Sequence, residues 1–478
     1  MLPSLARDGC TDELISLLSS GGDGRITLDP QTGLNKYFSA PYPRQTLAYA
    51  SSTANDLSVD AFAHLRAVCA QGERPYSEHL ADLRMRIRAA YELSDDIEIV
   101  FAPSGTDLEY VALAAALGKG RGGIHNILLG ADEVGSGCIH SAHGRYFADE
   151  TALGIATRKG ELIDGFGFVE LADIPVRCTE GQARCSETMT DRIAIEIERA
   201  VSQEMHSLVH VVHGSKTGLI LPELDELDVL ASRFGDAVSF VVDACQARIT
   251  ISALHDYLKL GAMVFLTGSK FMGGPPFNGF ALVPRAMVAA ANKLPSGLAN
   301  VFRRAEFPDN WAGRNCLPDG ENPGLGLRYE ASIFELERFQ RIPITTVSKL
   351  LDSFEVAIER EIVRSTGARL VLPFADGEQG EVREHPIEMR TLATLDVSKL
   401  PETPMFEAAQ KLHKRLALEG LRLGQPVKCV RKDGDWGGTL RIGLSMPQIS
   451  KLASLEPEAA SAQLDQDMHR IAEALGTV

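Results

Sequence analysis

Short runs of β-branched and apolar residues recur through the first two thirds of the chain, at 97–101, 126–129, 208–212, 238–242 and 263–266. They are too continuous for strands with one wet face, which suits parallel strands covered on both sides. Between them lie stretches of helical period, for example 107–117 and 225–234. This alternation predicts an open α/β sheet, in which ligands sit beyond the carboxyl ends of the strands.

From about residue 339 the pattern changes. A long helical stretch at 347–365 and short strand patterns at 388–395 and 439–444 predict a smaller α+β domain. The first sixty residues carry Pro, Ser, Tyr and Asn rather than a periodic apolar pattern, and read as an arm. The expected division is an arm at 1–60, a large domain at 61–338 and a small domain at 339–478. At roughly 100–200 residues per domain, 478 residues accommodate this.

Composition narrows the partners. With 48 Lys and Arg against 64 Asp and Glu, the formal charge of −16 disfavours nucleic acid and anionic membranes as partners. No apolar run approaches the roughly 18 residues of a membrane span. The opening MLPSLARDGCTDEL lacks the basic-then-apolar order of a signal peptide, so a cytoplasmic location is expected. The eight cysteines are scattered without a CxxC, and no metal site is expected. Two motifs mislead. GKGRGG at 118–123 follows a helix and precedes a strand, the reverse of the dinucleotide-binding order. His140 and His143 lack a third ligand, so a surface or cofactor-adjacent role suits them better than a metal.

Candidate chemistry lies where each run ends. After 97–101, Ser104-Gly105-Thr106 open a helix; they serve either as an anion cradle or as a plain N-cap. After 208–212, "HGSKTG" is rich in glycine and hydroxyls, as a turn also requires. After 238–242, Asp243 closes an apolar strand, where an unpaired carboxylate is costly, and Gln246 follows three residues later. After 263–266, "TGSK" places Thr267, Ser269 and Lys270 before a loop of glycines and prolines. A lysine there either snorkels outward or, desolvated, acts as a nucleophile toward aldehydes. Taken together, these groups suit pyridoxal phosphate. Lys270 takes its aldehyde, Asp243 its pyridine nitrogen, and the hydroxyl-rich helix start its phosphate.

In "PSGTDLE", "HGSKTG", "VVDACQAR", "TGSKFMGGPPFNGFALV" and "GTLRIGLS", over roughly residues 50–450, the chain resembles the fold type I pyridoxal-phosphate enzymes. Within them it is most similar to the class V aminotransferase and cysteine desulfurase branch. The resemblance implies an aspartate aminotransferase-like large domain with a mostly parallel seven-stranded sheet, in which the strand at 280–283 runs antiparallel. It makes Lys270 the Schiff-base lysine and proton shuttle, with Asp243 on the pyridinium nitrogen and Gln246 on the phenolic oxygen. Ser104, Gly105, Thr106, Thr267 and Ser269 then hold the phosphate, with Ser215 nearby. Arg441 clamps the substrate α-carboxylate.

The usual ring-stacking position falls on Glu133 or Val134, with His140 as a substitute. A homodimer with sites at its interface is also implied, Arg328 and Tyr329 facing the neighbour's phosphate. From the arm, Tyr37, Tyr42 and Arg44 are candidates to read a small-molecule amino-acid substrate; dimer packing is the alternative. The segment 154–191 has no evident counterpart. Transamination asks least of these residues, needing only Lys270 and Arg441. Lyase chemistry is second: desulfuration, β-elimination, decarboxylation or aldol-type cleavage. For desulfuration the nucleophile would be Cys429, beside basic Lys428 and Arg431. A binder without activity is the third reading.

Overall fold

The computed structural model describes residues 9–50, 52–53, 55–131, 133–134, 137–374 and 386–476. Seven strands form the central path: β1 (Ile97–Ala102), β2 (Ile124–Leu129), β3 (Val169–Ile174), β4 (His206–His213), β5 (Val238–Asp243), β6 (Met263–Thr267) and β7 (Gly279–Pro284). Their order is β1-β7-β6-β5-β4-β2-β3, and a two-residue strand, Ile220–Leu221, adds an eighth member beside β4. β7 is antiparallel to both its neighbours, and every other pairing on the path is parallel. The five expected runs are therefore strands. The edge strand β3 was not foreseen; it is built by the segment 154–191.

Two-sided burial explains the continuous apolar runs. In β1, Ile97, Ile99 and Phe101 enter one core, while Val100 and Ala102 enter the other. The first core extends into the small domain through Leu395, Leu440, Ile442 and Leu464. β4, HSLVHVVH, is buried at all eight positions.

Three helices matter for the site: α1 (Gly9–Leu18), α2 (Leu108–Ala116) and α3 (Pro323–Gln340). α2 follows β1 directly. α3 starts on the cap Asn322, whose side chain accepts from the Leu325 amide, with Pro323 in the first turn. The small domain carries an antiparallel sheet of β8 (Arg369–Val371), β9 (Leu392–Asp396) and β10 (Thr439–Gly443). The strand expected at 388–395 starts later, because Pro386–Arg390 is helical and aims Glu388 at the Thr250 amide, 2.8 Å away. The helix expected at 347–365 runs Ile344–Ala357 and then through a wider π-helical turn, Ile358–Val363.

The arm is fastened inside its own chain. α1 packs Leu14 and Leu18 against Leu327 and Ala331 of α3. Farther on, Leu47–Tyr49 pairs in parallel with Leu421–Leu423 of the small domain. Arg328, fully buried on α3, closes the intervening turn. It donates to the carbonyls of Phe277 (2.9 Å), Leu18 (3.2 Å), Ser20 (2.6 Å) and Gly21 (2.9 Å). Tyr329 donates to the Ala102 and Gly279 carbonyls. Both side chains thus hold carbonyls of their own chain.

Charged donors hold buried carbonyls more strongly than neutral ones. Arg328→Met should therefore lower unfolding free energy by about 3 kcal/mol in a denaturant titration, and open residues 9–25 to limited proteolysis before the sheet.

Candidate active site

Beyond the carboxyl ends of β5 and β6 lies a cavity of about 720 Å³. It brings together Ser104, Gly105, Thr106, Glu133, Val134, Ser215, Asp243, Gln246, Thr267, Ser269, Lys270 and Arg441. Tyr37 of the arm lines it too. Arg44 does not: it lies beside Asp56 and Arg422, and one of its terminal nitrogens is buried there without a hydrogen bond among the described residues. Tyr42 donates instead to the Gly33 carbonyl. His140 stands in the short helix Cys138–Ser141 and is not part of the lining.

Lys270 follows β6 in a turn held from two sides. Its carbonyl accepts from Asn55 Nδ2 at 2.8 Å and from the Gly273 amide at 3.0 Å. Gly268 is needed there, since a Cβ would stand 2.3 Å from Ser332 Oγ on α3. Asp243 leaves the end of β5, and its Oδ1 accepts from the Cys245 amide at 2.9 Å. Behind it Glu109 is buried. Burial and then the charge of Asp243 push its carboxyl well above the ordinary range, and its Oε2 lies 3.3 Å from His210 Nε2.

Gln246 is oriented by Arg248. The guanidinium can only donate, so the side-chain atom facing Nη1 at 2.8 Å must be the amide oxygen, which leaves the amide NH₂ as the donor end. Arg248 is fully buried, lies over the Phe271 ring and also donates to Thr391 Oγ1 at 2.9 Å. Burial lowers its pKa to about 9.

The hydroxyls divide into two sets. Ser104 donates to Asp107 (2.5 Å), Thr267 to the Cys245 carbonyl (2.6 Å) and Ser215 to Glu133 (2.8 Å), so these protons are committed. Thr106 and Ser269 have no such commitment among the described residues. Gly105 keeps the space between them open: a Cβ there would stand 2.8 Å from Thr267 Cγ2. Asp107 accepts from Ser104 in this turn, and burial raises its pKa to about 6.

Glu133 is a hub, not a stacking group. It pairs with Arg177 at 2.7 Å and accepts from Ser215, from Thr217 Oγ1 (3.0 Å) and from the Thr217 amide (3.2 Å). Burial alone would raise its pKa, but Arg177 and the hydroxyls carry it below the ordinary value. Val134, next to it, is left as the apolar member of that turn. Arg441 on β10 donates through Nε to the Gln425 carbonyl (2.8 Å) and through Nη1 to the Lys216 carbonyl (3.0 Å). Burial lowers it to about 10, so it keeps its charge at neutral pH. Cys429 is buried outside the lining, and burial pushes its thiol up to about 12, contrary to a reactive thiolate.

Several lining residues carried no signal in the sequence pattern. Asp23, Arg25 and Lys36 come from the arm, and Phe147, Asp149, Glu150 and Lys159 from the region before β3. Of these only Lys159 lies within 154–191, so that segment supplies the edge strand β3 and one residue of the cavity wall.

No protein-family model matches the sequence, and no curated protein matches it. Solved structures do match by fold. A pyridoxamine-pyruvate aminotransferase from Mesorhizobium loti is similar at 15% identity and a TM-score of 0.53, over 91% of this chain and 98% of that one. A cysteine desulfurase from Escherichia coli is similar at 14% identity and a TM-score of 0.54, over 90% and 95%. A cysteine desulfurase from Thermococcus onnurineus is similar at 16% identity and a TM-score of 0.51, over 89% and 94%. The fold is fold type I. In fold type I terms the antiparallel β7 and the small domain carrying Arg441 stand where the sequence resemblance placed them.

Two measurements check these environments. The folded Asp107 holds its proton up to about pH 6, against an ordinary value of 3.8. Its stabilising contribution is therefore full below pH ~4 and lost as pH rises through ~6. Asp107→Asn should remove that slope from wild-type-minus-variant urea midpoints taken between pH 4 and 7. In folded protein at pH 8, iodoacetamide should modify exposed Cys10 and Cys316 first and leave Cys429 unlabelled, as mass spectrometry of peptides will read.

Proposed function

We propose that this chain is a pyridoxal-phosphate-dependent enzyme acting on an amino acid, and that the reaction is amino transfer. The observation that carries the reading is the meeting of Lys270, Asp243, Gln246 and Arg441 in one cavity at the carboxyl edge of the sheet. The donor set fits the cofactor group by group. An amine, a carboxylate oriented by the Cys245 amide, and an amide fixed as a donor stand near a helix start that Gly105 keeps open. The solved structures similar in fold include two whose names state an aminotransferase activity, one with pyruvate and one with glyoxylate.

Bound there, pyridoxal phosphate supplies an electron sink for charge that develops at the substrate Cα. Lys270 holds the cofactor and carries the proton at Cα. Asp243 keeps the ring nitrogen protonated. Arg441 binds the α-carboxylate and thereby orients the Cα–H bond. Desulfuration is the less favoured branch because Cys429 lies outside the lining with its thiol held protonated. A homodimer remains part of the proposal, resting on the family resemblance.

Borohydride reduction of loaded wild-type protein should fix the cofactor on the peptide containing Lys270, while Lys270→Ala should take up none. A cofactor retained by borohydride in that variant would sink the assignment. Titration with amino acids should convert loaded protein to the pyridoxamine form. Release of sulfide, carbon dioxide or an aldehyde would instead place the reaction among the lyases. Arg441→Met should raise the half-saturating amino-acid concentration about a hundredfold, in line with the ~3 kcal/mol of a charge-assisted carboxylate pair.

A further inference from the structure

The arm delivers a cation into the cavity that the reaction as described does not use. Arg25 lines the cavity with its guanidinium carbon 5.1 Å from the Phe147 ring centre and 4.7 Å from that of Phe277. Its acidic partner holds it in an unusual way. Both carboxylate oxygens of Asp23 take the same nitrogen, Nε, at 2.8 and 2.9 Å. A forked pair would have used Nε and one terminal nitrogen together. Tyr37 lies against the guanidinium as well, and Nη2 is buried with no hydrogen-bond partner among the described residues. A buried cationic donor without an acceptor is costly, and calls for an acceptor from outside the chain.

The position is built rather than incidental. Arg328 fixes the carbonyls of Leu18, Ser20 and Gly21 just before this segment. Asp23 Oδ1 also accepts from the Arg25 amide at 2.9 Å, which sets the turn. The aromatic shelf leads to the open helix start. A Cβ on Gly137 would stand 3.5 Å from the Phe147 ring and 3.0 Å from Thr106 Cγ2, so the ring beneath Arg25 and the turn of Ser104–Thr106 are close neighbours. Arg441 serves a different corner, between Gln425 and Lys216.

We infer that Arg25 is a second anion-binding residue of this cavity, taking an oxyanion that Arg441 does not hold. The inference deepens the proposed function and rests on it for the identity of the ligand. The oxyanion has two sources, the cofactor's phosphate or an acidic group at the far end of the substrate side chain.

Three measurements on the full chain decide it, each with wild type, Arg25→Met and Arg25→Lys. First, inorganic phosphate should raise the melting temperature of cofactor-free wild type, and the rise should be lost in R25M. Second, affinities for pyridoxal phosphate and for pyridoxal are compared. If the phosphate is the oxyanion, R25M weakens the phosphorylated form at least tenfold and leaves pyridoxal unchanged. Third, loaded protein is titrated with L-glutamate and L-glutamine. If the substrate's acid is the oxyanion, cofactor affinity stays and the preference for glutamate falls at least tenfold. R25K keeps the charge but not the fork, so it should fall between the others; it carries the test if R25M does not fold. Variants that match wild type in all three measurements overturn the inference. Wild type that binds neither pyridoxal phosphate nor pyridoxal would overturn the cofactor reading alone, since the phosphate melting shift still judges Arg25.

Discussion

Every side chain of β4 is out of water, yet three of its eight residues are histidines. That burden shows what the sheet demands. With cores on both faces, a polar group inside must be paired or neutral. His213 sits between Tyr257 (3.0 Å) and Glu388 (3.1 Å), and His206 reaches Ser239 at 2.9 Å. Burial lowers His206 to about 4 and His210 to about 3, so both stay uncharged at neutral pH. Asp243 ends β5 and Lys270 follows β6, at the edge of these two cores. The two-sided sheet thereby selects the place of the chemistry as well as the fold.

Buried arginines then join the parts. Arg248 ties the amide of Gln246 to Thr391, just before β9. Arg441 reaches from β10 to the turn after β4 by way of the Lys216 carbonyl. Arg328 ties α3 to the arm. Arg328 and Arg441 bind carbonyls, and Arg248 counts an amide and a hydroxyl among its partners. Glu133 balances some of the charge of Arg441.

The parallel strands and the strand-end residues were legible because one physical rule produces both: apolar continuity, then an abrupt polar stop. Asp243 and Lys270 could be named on that ground. β3 was not, since VELADI is half-exposed at the sheet edge and its pattern is weak. Arg25 was not, because its place depends on Arg328, three hundred residues away, and nothing local marks it. Arg44, named as a candidate from the arm's composition, is turned away toward Asp56 and Arg422. Glu133 was placed in the right turn, but its role could not be read without Arg177, which arrives from beyond β3.

The arm has one more property. It is anchored at Gly21 by Arg328, in the large domain, and at Leu47–Tyr49 by the ladder to Leu421–Leu423, in the small one. Between these anchors it forms the wall that holds Arg25, Lys36 and Tyr37. It is a strap buckled at both ends. A rigid displacement of one domain against the other must stretch the strap, break the ladder or pull the carbonyls off Arg328. The width of the cavity mouth and the spacing of the two domains are therefore a single mechanical variable.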